Sequence, residues 1–61
     1  MNRVVELLMK RDQVTEQEAM ERLIAAKELI SACDYEEEET EWILRTELGL
    51  EMEDLDDVVS E

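Results

Sequence analysis

The sequence predicts an all-α fold, a small bundle of three to four helices. It contains no proline and a single glycine, the two residues that most disfavour a helix interior. Aromatic residues, which favour strands, make up only 3% of the chain. Apolar residues recur at intervals of three and four, which places their side chains on one face of a helix. We predict helices at about residues 3–11, 15–33, 35–48 and 52–59.

The length of 61 residues predicts one helical domain, residues 1–61. A chain this short buries only about 60% of its unfolded surface, so its stability is marginal. One cysteine and no histidine leave neither a disulfide framework nor a zinc site to reinforce it. We therefore expect the chain to depend on close helix packing, on self-association or on a partner.

The first predicted helix begins after Asn2, a residue that caps helix N-termini. Val4 and Leu8 lie one turn apart and form its apolar face. Lys10 and Arg11 fall in its last turn, where cations interact favourably with the helix dipole.

The second predicted helix is the central one. Thr15 and Glu18 have the spacing of a capping box, in which each side chain accepts a hydrogen bond from the other residue's backbone N–H. An apolar stripe then runs along the helix through Ala19, Leu23, Ala26, Ile30 and Cys33. Met20, Ile24 and Leu29 widen this stripe on both sides, so we expect the flanking helices to cover it.

The sequence predicts the end of the third helix more clearly than it predicts the starts of the third and fourth helices. Asp34 and Glu37 repeat the capping-box spacing and predict the start of the third helix. Gly49 predicts its end, in a left-handed conformation with Leu50 folded back on the last turn as in a Schellman motif. Leu55 lies in a short helical pattern that predicts a fourth helix.

Two aromatic residues, Tyr35 and Trp42, share one side of the third helix because they lie seven positions apart. Leu44 and Leu48 lie on other sides, so both sets cannot face the central helix. We predict that Trp42 is a core residue. The alternative is an exposed Trp42 beside carboxylates, which would serve as an interface anchor.

The net charge of −13 is concentrated in the second half of the chain. Residues 1–33 carry five basic and six acidic residues, for a net charge of −1, whereas residues 34–61 carry one base and thirteen acids, for −12. Such a surface repels nucleic acid and attracts basic surfaces. The candidate partner-binding residues are Glu36, Glu37, Glu38, Glu39, Glu41, Glu47, Glu53, Asp54, Asp56 and Asp57.

The third helix has the charge density of a nucleic-acid strand. Residues 34–48 would span about 21 Å in a helix and carry a net charge of −6. One nucleic-acid strand carries about six charges over that length. The hypothesis of nucleic-acid mimicry stands beside a simpler interpretation, a solvated acidic face that keeps the protein soluble.

Catalysis and cofactor binding find no support in the sequence. It lacks histidine and any glycine-rich phosphate loop, and so small a core cannot raise the pKa of a carboxyl group by desolvation. The acid pairs Glu37 with Glu41 and Asp54 with Asp57 lack the calcium-binding pattern of an EF-hand, so we predict no metal site. Cys33 is interpreted as a small core residue rather than a reactive thiol.

The expected location is the cytoplasm. A lone cysteine is typical of a reducing compartment. Charged residues interrupt the first apolar stretch too early for a signal peptide, and no apolar run reaches membrane-spanning length. We therefore expect neither membrane nor direct nucleic-acid binding.

The chain resembles a group of small acidic proteins of bacteriophages and prophages. That group typically reads L-M-x-R-D-G-x-[ST]-x-x-E-A near its start and E-x-I-L-x-x-x-L-G-L-E-x-D-Y-L near its end. The matching residues are Leu8 to Asp12, Thr15, Glu18, Ala19, Asp34, Ile43, Leu44, Leu48 to Glu51, Asp54 and Leu55. These are mostly caps, core positions and a helix stop, so the resemblance implies a fold and a phage-encoded accessory protein rather than an activity.

Three positions depart from that pattern. Gln13 replaces the turn glycine, which is expected to lengthen the first helix. Met52 replaces a usual proline, which weakens the start of the fourth helix, and Leu55 follows Asp54 without the intervening tyrosine.

The leading functional hypothesis is therefore a non-enzymatic phage or prophage accessory protein. Its acidic C-terminal half would dock on a basic host protein that binds nucleic acid, as a nucleic-acid mimic or inhibitor of host defence. The alternatives are a structural or adaptor homodimer and an antitoxin-like protein, neither of which involves mimicry.

Overall fold

The computed structural model describes residues 2–60 and confirms the all-α fold. Within this range the chain forms four α-helices: α1 (Arg3–Asp12), α2 (Glu16–Ala32), α3 (Glu37–Ile43) and α4 (Leu55–Val59). A π-helical turn (Leu44–Leu48) continues α3, and a 3₁₀ turn (Met52–Asp54) precedes α4. The main contacts of α1, of α3 with its π-turn, and of α4 all include α2, which is therefore the central helix.

The core is a single cluster of apolar side chains from all the helices. Its members are Val4, Val5, Leu8, Ala19, Leu23, Ala26, Ile30, Ile43, Leu44, Leu48, Leu50 and Val58. Burial of this apolar surface is the main favourable term that holds the helices together.

The boundaries of α1 and α2 agree closely with the predicted ones. The Asn2 side chain caps α1 by accepting a 2.6 Å hydrogen bond from the Val4 amide. Both hydrogen bonds of the predicted capping box are present at the start of α2, since Glu18 N–H donates to the Thr15 hydroxyl and Thr15 N–H donates to the Glu18 carboxylate, each at 3.1 Å.

Gln13 forms the turn between α1 and α2 in a left-handed conformation, with φ of 56°. Helix α1 ends at Asp12, one residue beyond its predicted end. Glutamine thus adopts at this position the backbone conformation that glycine adopts without steric cost.

The flanking helices cover α2 less completely than predicted. The stripe of Ala19, Leu23, Ala26 and Ile30 is buried and Cys33 is half-buried. The three residues that widen this stripe are exposed: Met20 by 45%, Ile24 by 50% and Leu29 by 45%. The expectation that these three residues would be covered is wrong, because the short neighbouring helices reach only the centre of the arc.

The turn between α2 and α3 also differs from the prediction. Asp34 and Tyr35 are both left-handed, with φ of 57° and 60°, so Asp34 cannot act as a helix N-cap. The cap is Glu36, whose carboxylate accepts a 2.7 Å hydrogen bond from the amide of Glu39. The third helix therefore begins at Glu37, two residues later than predicted.

The π-helical turn that continues α3 ends at Gly49, which is left-handed as predicted, with φ of 66°. The stop is wider than a Schellman motif. The Leu50 amide donates to the carbonyl oxygen of Leu44, six residues back, at 2.9 Å, whereas a Schellman motif spans five. Leu50 joins the core as predicted.

Helix α4 is short and begins with a 3₁₀ turn. Glu51 and Asp54 form a capping box there, in which the Glu51 amide donates to the Asp54 carboxylate at 3.1 Å. The start of this element is therefore capped, although its first residue, Met52, is not the proline that the resemblance would imply. Val58 buries its side chain in the core.

An ionic network joins α1 and α2 to the end of the π-turn. Arg11 pairs through two nitrogens with the Asp12 carboxylate, at 3.0 and 2.9 Å, and Arg22 reaches the same carboxylate at 2.8 Å. The guanidinium of Arg11 also donates to the carbonyl oxygen of Leu48 at 2.7 Å and to that of Gly49 at 3.3 Å. The hydrogen bond from Arg11 lowers the pKa of the Asp12 carboxyl, and Arg22 contributes in the same direction.

Candidate acidic interface

The predicted acidic residues do not lie on one helix face. Glu36 to Glu41 belong to the start and body of α3, whereas Asp56 and Asp57 belong to α4. The main contacts of α3 are with α2 and its own π-turn, and those of α4 are with the 3₁₀ turn, α1 and α2. The ten predicted acids are therefore divided between α3 with its cap and π-turn and the 3₁₀ turn with α4, and α3 carries the denser group.

The first turn of α3 is the most acidic element of the described chain. Glu37, Glu38 and Glu39 occupy it, directly after the cap Glu36. Successive helical residues are rotated by about 100°, so three in a row spread around the helix. All three are exposed, and their negative charge meets the positive end of the helix dipole, which makes the arrangement locally favourable.

Some of the predicted acids are already engaged within the protein. Asp57 pairs with Arg3 across 54 positions of the sequence at 3.2 Å, and Glu41 pairs with Arg45 at 3.2 Å. Asp54 accepts the capping hydrogen bond described above and is half-buried. These three residues are less available to a partner than the sequence suggested.

Other acids remain without an ion pair in the part of the chain that the structure describes. On α3 and its π-turn these are Glu37, Glu38, Glu39 and Glu47, and after Gly49 they are Glu53 and Asp56. All six of these side chains are exposed. The unpaired set therefore has its centre at the N-terminal end of α3.

Trp42 is 64% exposed, so the prediction that it is a core residue is wrong. Tyr35 is 54% exposed as well. The helix turns its other side to α2: Thr40 is fully buried, as is Leu44, and Ile43 is 5% exposed. Trp42 is two positions from Thr40, which is about 200° around the helix, and therefore points away from the core.

Thr40 is the core residue that the sequence analysis missed. Its hydroxyl lies 3.9 Å from the Sγ atom of Cys33, which also donates to the carbonyl oxygen of Ile30 at 3.2 Å. The signal was present in the spacing of Thr40, Ile43 and Leu44 at steps of three and four. A threonine is less apolar than the two aromatic residues. Hydrophobicity therefore favoured the aromatic side of α3, which the structure exposes.

The exposed side of α3 combines an aromatic ring with carboxylates. Glu38 and Glu39 precede Trp42 by four and three positions, the separations at which helical side chains are neighbours. A guanidinium or ammonium group can stack on an indole ring and pair with an adjacent carboxylate at the same time. This surface has the chemistry to bind a basic side chain, arginine above all.

Among residues 2–60, no three acidic or cysteine side chains converge in the way that a metal ion would require. In the same range every buried side-chain nitrogen and oxygen has a hydrogen-bond partner. None of the helices described is long and apolar enough to cross a lipid bilayer.

Comparison with protein-family models, with curated proteins and with solved structures finds no match for this chain.

Proposed function

We propose that this chain is a non-enzymatic accessory protein of a phage or prophage that acts by binding. Its acidic C-terminal half docks on a basic host protein whose normal ligand is nucleic acid, inside the bacterial cell. The observation that carries the proposal is the division of charge between residues 1–33, with a net charge of −1, and residues 34–61, with −12.

The concentration of charge supports docking over solubility alone. Like charges on one small surface repel one another, and that repulsion lowers the stability of the compact state. Solubility requires a net charge of only about 2 to 8 for a small domain. The chain carries a net charge of −13, most of it in the residues after position 33. This charge is larger than solubility requires.

The described contacts favour the exposed side of α3 as the docking surface. Glu37, Glu38 and Glu39 make no ion pair within residues 2–60, and Trp42 stands 64% exposed one turn further along. Tryptophan is enriched among the residues that dominate binding energy at protein interfaces. Trp42 therefore supplies the apolar anchor, and the three carboxylates supply charge complementarity.

A groove that normally binds nucleic acid accepts this surface because both ligands present closely spaced negative charges. The acids of α3 bind the lysines and arginines that would otherwise contact phosphates. Binding then competes with nucleic acid for the same groups. Exposed charge contacts are screened by salt, so the complex dissociates at moderate ionic strength.

The proposal is tested by capture from bacterial lysate on the immobilised chain, followed by competition with duplex DNA. We expect recovery of a protein that binds DNA by itself, and its release by DNA and by about 0.5 M salt. The triple variant Glu37→Gln, Glu38→Gln, Glu39→Gln should lose the captured protein. Recovery of nothing, or of a partner that DNA does not displace, contradicts the proposal.

A matched control removes three charges elsewhere. The variant Glu16→Gln, Glu21→Gln, Glu28→Gln changes three exposed carboxylates of α2 and leaves the capping residue Glu18 in place. It should capture the same partner as the unmodified chain. Equal loss in both variants would show that total charge, rather than the α3 surface, is responsible.

Trp42→Ala tests the anchor separately. A residue at the centre of an interface contributes about 2 kcal/mol or more, so we expect partner affinity to fall by at least about thirtyfold. The thermal midpoint should stay nearly constant because the side chain is largely exposed. Unchanged affinity would exclude Trp42 from the interface.

A further inference from the structure

Tyr35, in the turn between α2 and α3, has a backbone conformation that its residue type disfavours. Its φ is 60°, in the left-handed region. The preceding residue, Asp34, is also left-handed, with φ of 57°, but aspartate is one of the few residues that visit this region with some frequency. For a bulky residue such as tyrosine a positive φ is an outlier that costs free energy. Glycine at position 35 would remove this cost.

The fold makes little use of the Tyr35 side chain. The side chain is 54% exposed and belongs neither to the apolar core nor to the residues that pack against it. Within residues 2–60 its hydroxyl group has no hydrogen-bond partner. The backbone N–H of Tyr35 donates to the carbonyl oxygen of Ile30 at 3.1 Å, which closes the turn after α2. Any residue other than proline supplies that amide, so folding alone does not require an aromatic side chain here.

The surroundings of Tyr35 suit the binding of a basic side chain. Tyr35 directly precedes the acidic run Glu36 to Glu39, which is exposed throughout. The chain has only two aromatic residues, Tyr35 and Trp42, and both are more than half exposed next to this run. A guanidinium group stacks on an aromatic ring and pairs with a carboxylate at the same time, which an ammonium group does less well.

We infer that Tyr35 is a second aromatic contact of the α3 surface and that its ring binds an arginine side chain of the basic partner. Backbone strain that folding does not require is concentrated at binding sites and clamps. Tyrosine, like tryptophan, is enriched among the residues that dominate binding energy at interfaces. The inference rests on the proposed function, since it adds a residue to the same surface, and it specifies arginine rather than lysine on the partner.

Isothermal titration calorimetry with two synthetic peptides, hexa-arginine and hexa-lysine, tests this assignment at about 0.05 M salt. The peptides carry the same charge, so a difference between them reports contacts beyond charge. We expect the unmodified chain to bind hexa-arginine more tightly. Tyr35→Gly should lose about two- to fivefold in affinity for hexa-arginine and little for hexa-lysine. The substitution leaves the net charge unchanged, so general attraction between chain and peptide stays the same.

Thermal unfolding of the same variants gives a readout that a purely structural role would move in the opposite direction. Removal of left-handed strain should raise the thermal midpoint of Tyr35→Gly by about 2–4 °C. Tyr35→Asn should also raise it and lose the preference for arginine, because asparagine tolerates this conformation without supplying a ring. Tyr35→Phe keeps both the ring and the strain, and should match the unmodified chain in both measurements.

Gln13→Gly is the matched control, because Gln13 is left-handed as well, with φ of 56°, in the turn between α1 and α2. It should raise the thermal midpoint and leave the affinity for hexa-arginine unchanged. Loss of affinity in both glycine variants would assign the effect to the backbone and overturn the inference. A lower midpoint in Tyr35→Gly, or an unchanged affinity for hexa-arginine, would overturn it as well.

The proposed function and this inference fail in different ways. If the triple variant Glu37→Gln, Glu38→Gln, Glu39→Gln keeps its affinity for both peptides, α3 is not the docking surface and the proposed function is wrong. If that variant loses affinity for both peptides while Tyr35→Gly retains the preference for hexa-arginine, the docking surface stands and only the role of Tyr35 is wrong.

Discussion

Arg11, in the last turn of α1, donates a 2.7 Å hydrogen bond to the carbonyl oxygen of Leu48, 37 residues later in the chain. Carbonyl groups at a helix end have no partner within the helix, so a cation placed there both satisfies and stabilises them. A sequence reading of Arg11 places it in the last turn of its own helix. In the structure Arg11 also donates to a carbonyl group at the end of the π-turn that continues α3.

The first prediction concerns this hydrogen bond. Arg11→Ala should lower the free energy of unfolding by about 1 kcal/mol, a value below the usual range for charged hydrogen bonds because the side chain is partly exposed. The thermal midpoint should fall by about 4–8 °C. Arg3→Ala is the control: Arg3 also lies in α1 and pairs with an aspartate, but its side chain is 82% exposed, so its removal should cost less than about 0.5 kcal/mol. Equal effects would show that Arg11 has no special role.

The second prediction concerns Gly49, which faces the Arg11 guanidinium. Gly49 has φ of 66°, and a Cβ atom there would lie 2.9 Å from Nη1 of Arg11. Gly49→Ala should therefore destabilise the fold by about 1–2 kcal/mol, partly through left-handed strain and partly by displacing Arg11.

Chemical denaturation of both single variants and the double variant separates these two causes. In the Arg11→Ala background the cost of Gly49→Ala should be smaller, because only the backbone strain remains. Strictly additive costs would mean that the two residues are not coupled.

The third prediction concerns Gln13, which is left-handed with φ of 56°. Gln13→Gly should raise stability by about 0.5 kcal/mol, since relief of left-handed strain exceeds the added entropy of the unfolded chain. Ala25→Gly, in the regular and exposed middle of α2, should instead lower stability by about 1 kcal/mol. A loss at both positions would contradict the assigned turn.

The fourth prediction is a pH dependence that comes from Asp12. The hydrogen bond from Arg11, and then Arg22, lowers the pKa of its carboxyl in the folded state. A lowered pKa contributes stability that is present above the unfolded value of about 3.9 and is lost as the pH falls through the folded value. Thermal midpoints of the unmodified chain and Asp12→Asn should therefore differ at neutral pH and converge below about pH 4. A difference that persists in acid would assign the effect to packing.

The elements encoded by neighbouring residues were predicted well. The Thr15–Glu18 capping box and the left-handed Gly49 each depend on a few consecutive residues, and both are present in the structure. The fold class followed from the same local signals, since helix periodicity and the absence of proline act over short ranges.

The orientation of α3 could not be predicted in this way. It depends on the two left-handed residues Asp34 and Tyr35, which rotate the helix before it begins, and on the π-turn that follows Ile43. Leu44 and Leu48 therefore face the core together with Thr40, and Trp42 faces solvent. Neither feature has a distinctive residue pattern, so hydrophobicity alone assigned the aromatic residues to the wrong side.

The sequence predicted the charge of the candidate site but not which of its carboxylates form ion pairs within the protein. Counting residues located the excess of carboxylates after residue 33. Only the folded structure shows that Asp57 pairs with Arg3, a contact 54 positions apart, and that Glu41 pairs with Arg45. These contacts remove members of the predicted set and leave the first turn of α3 as its centre.

The exposure of Trp42 makes it a natural optical probe, because it is the single tryptophan of the chain. Its indole is already in contact with water in the native state, so its emission should change little when the protein unfolds. Closure of a partner over α3 would remove that water and shift the emission to shorter wavelength. Intrinsic fluorescence can therefore report docking without a dye, while circular dichroism follows folding.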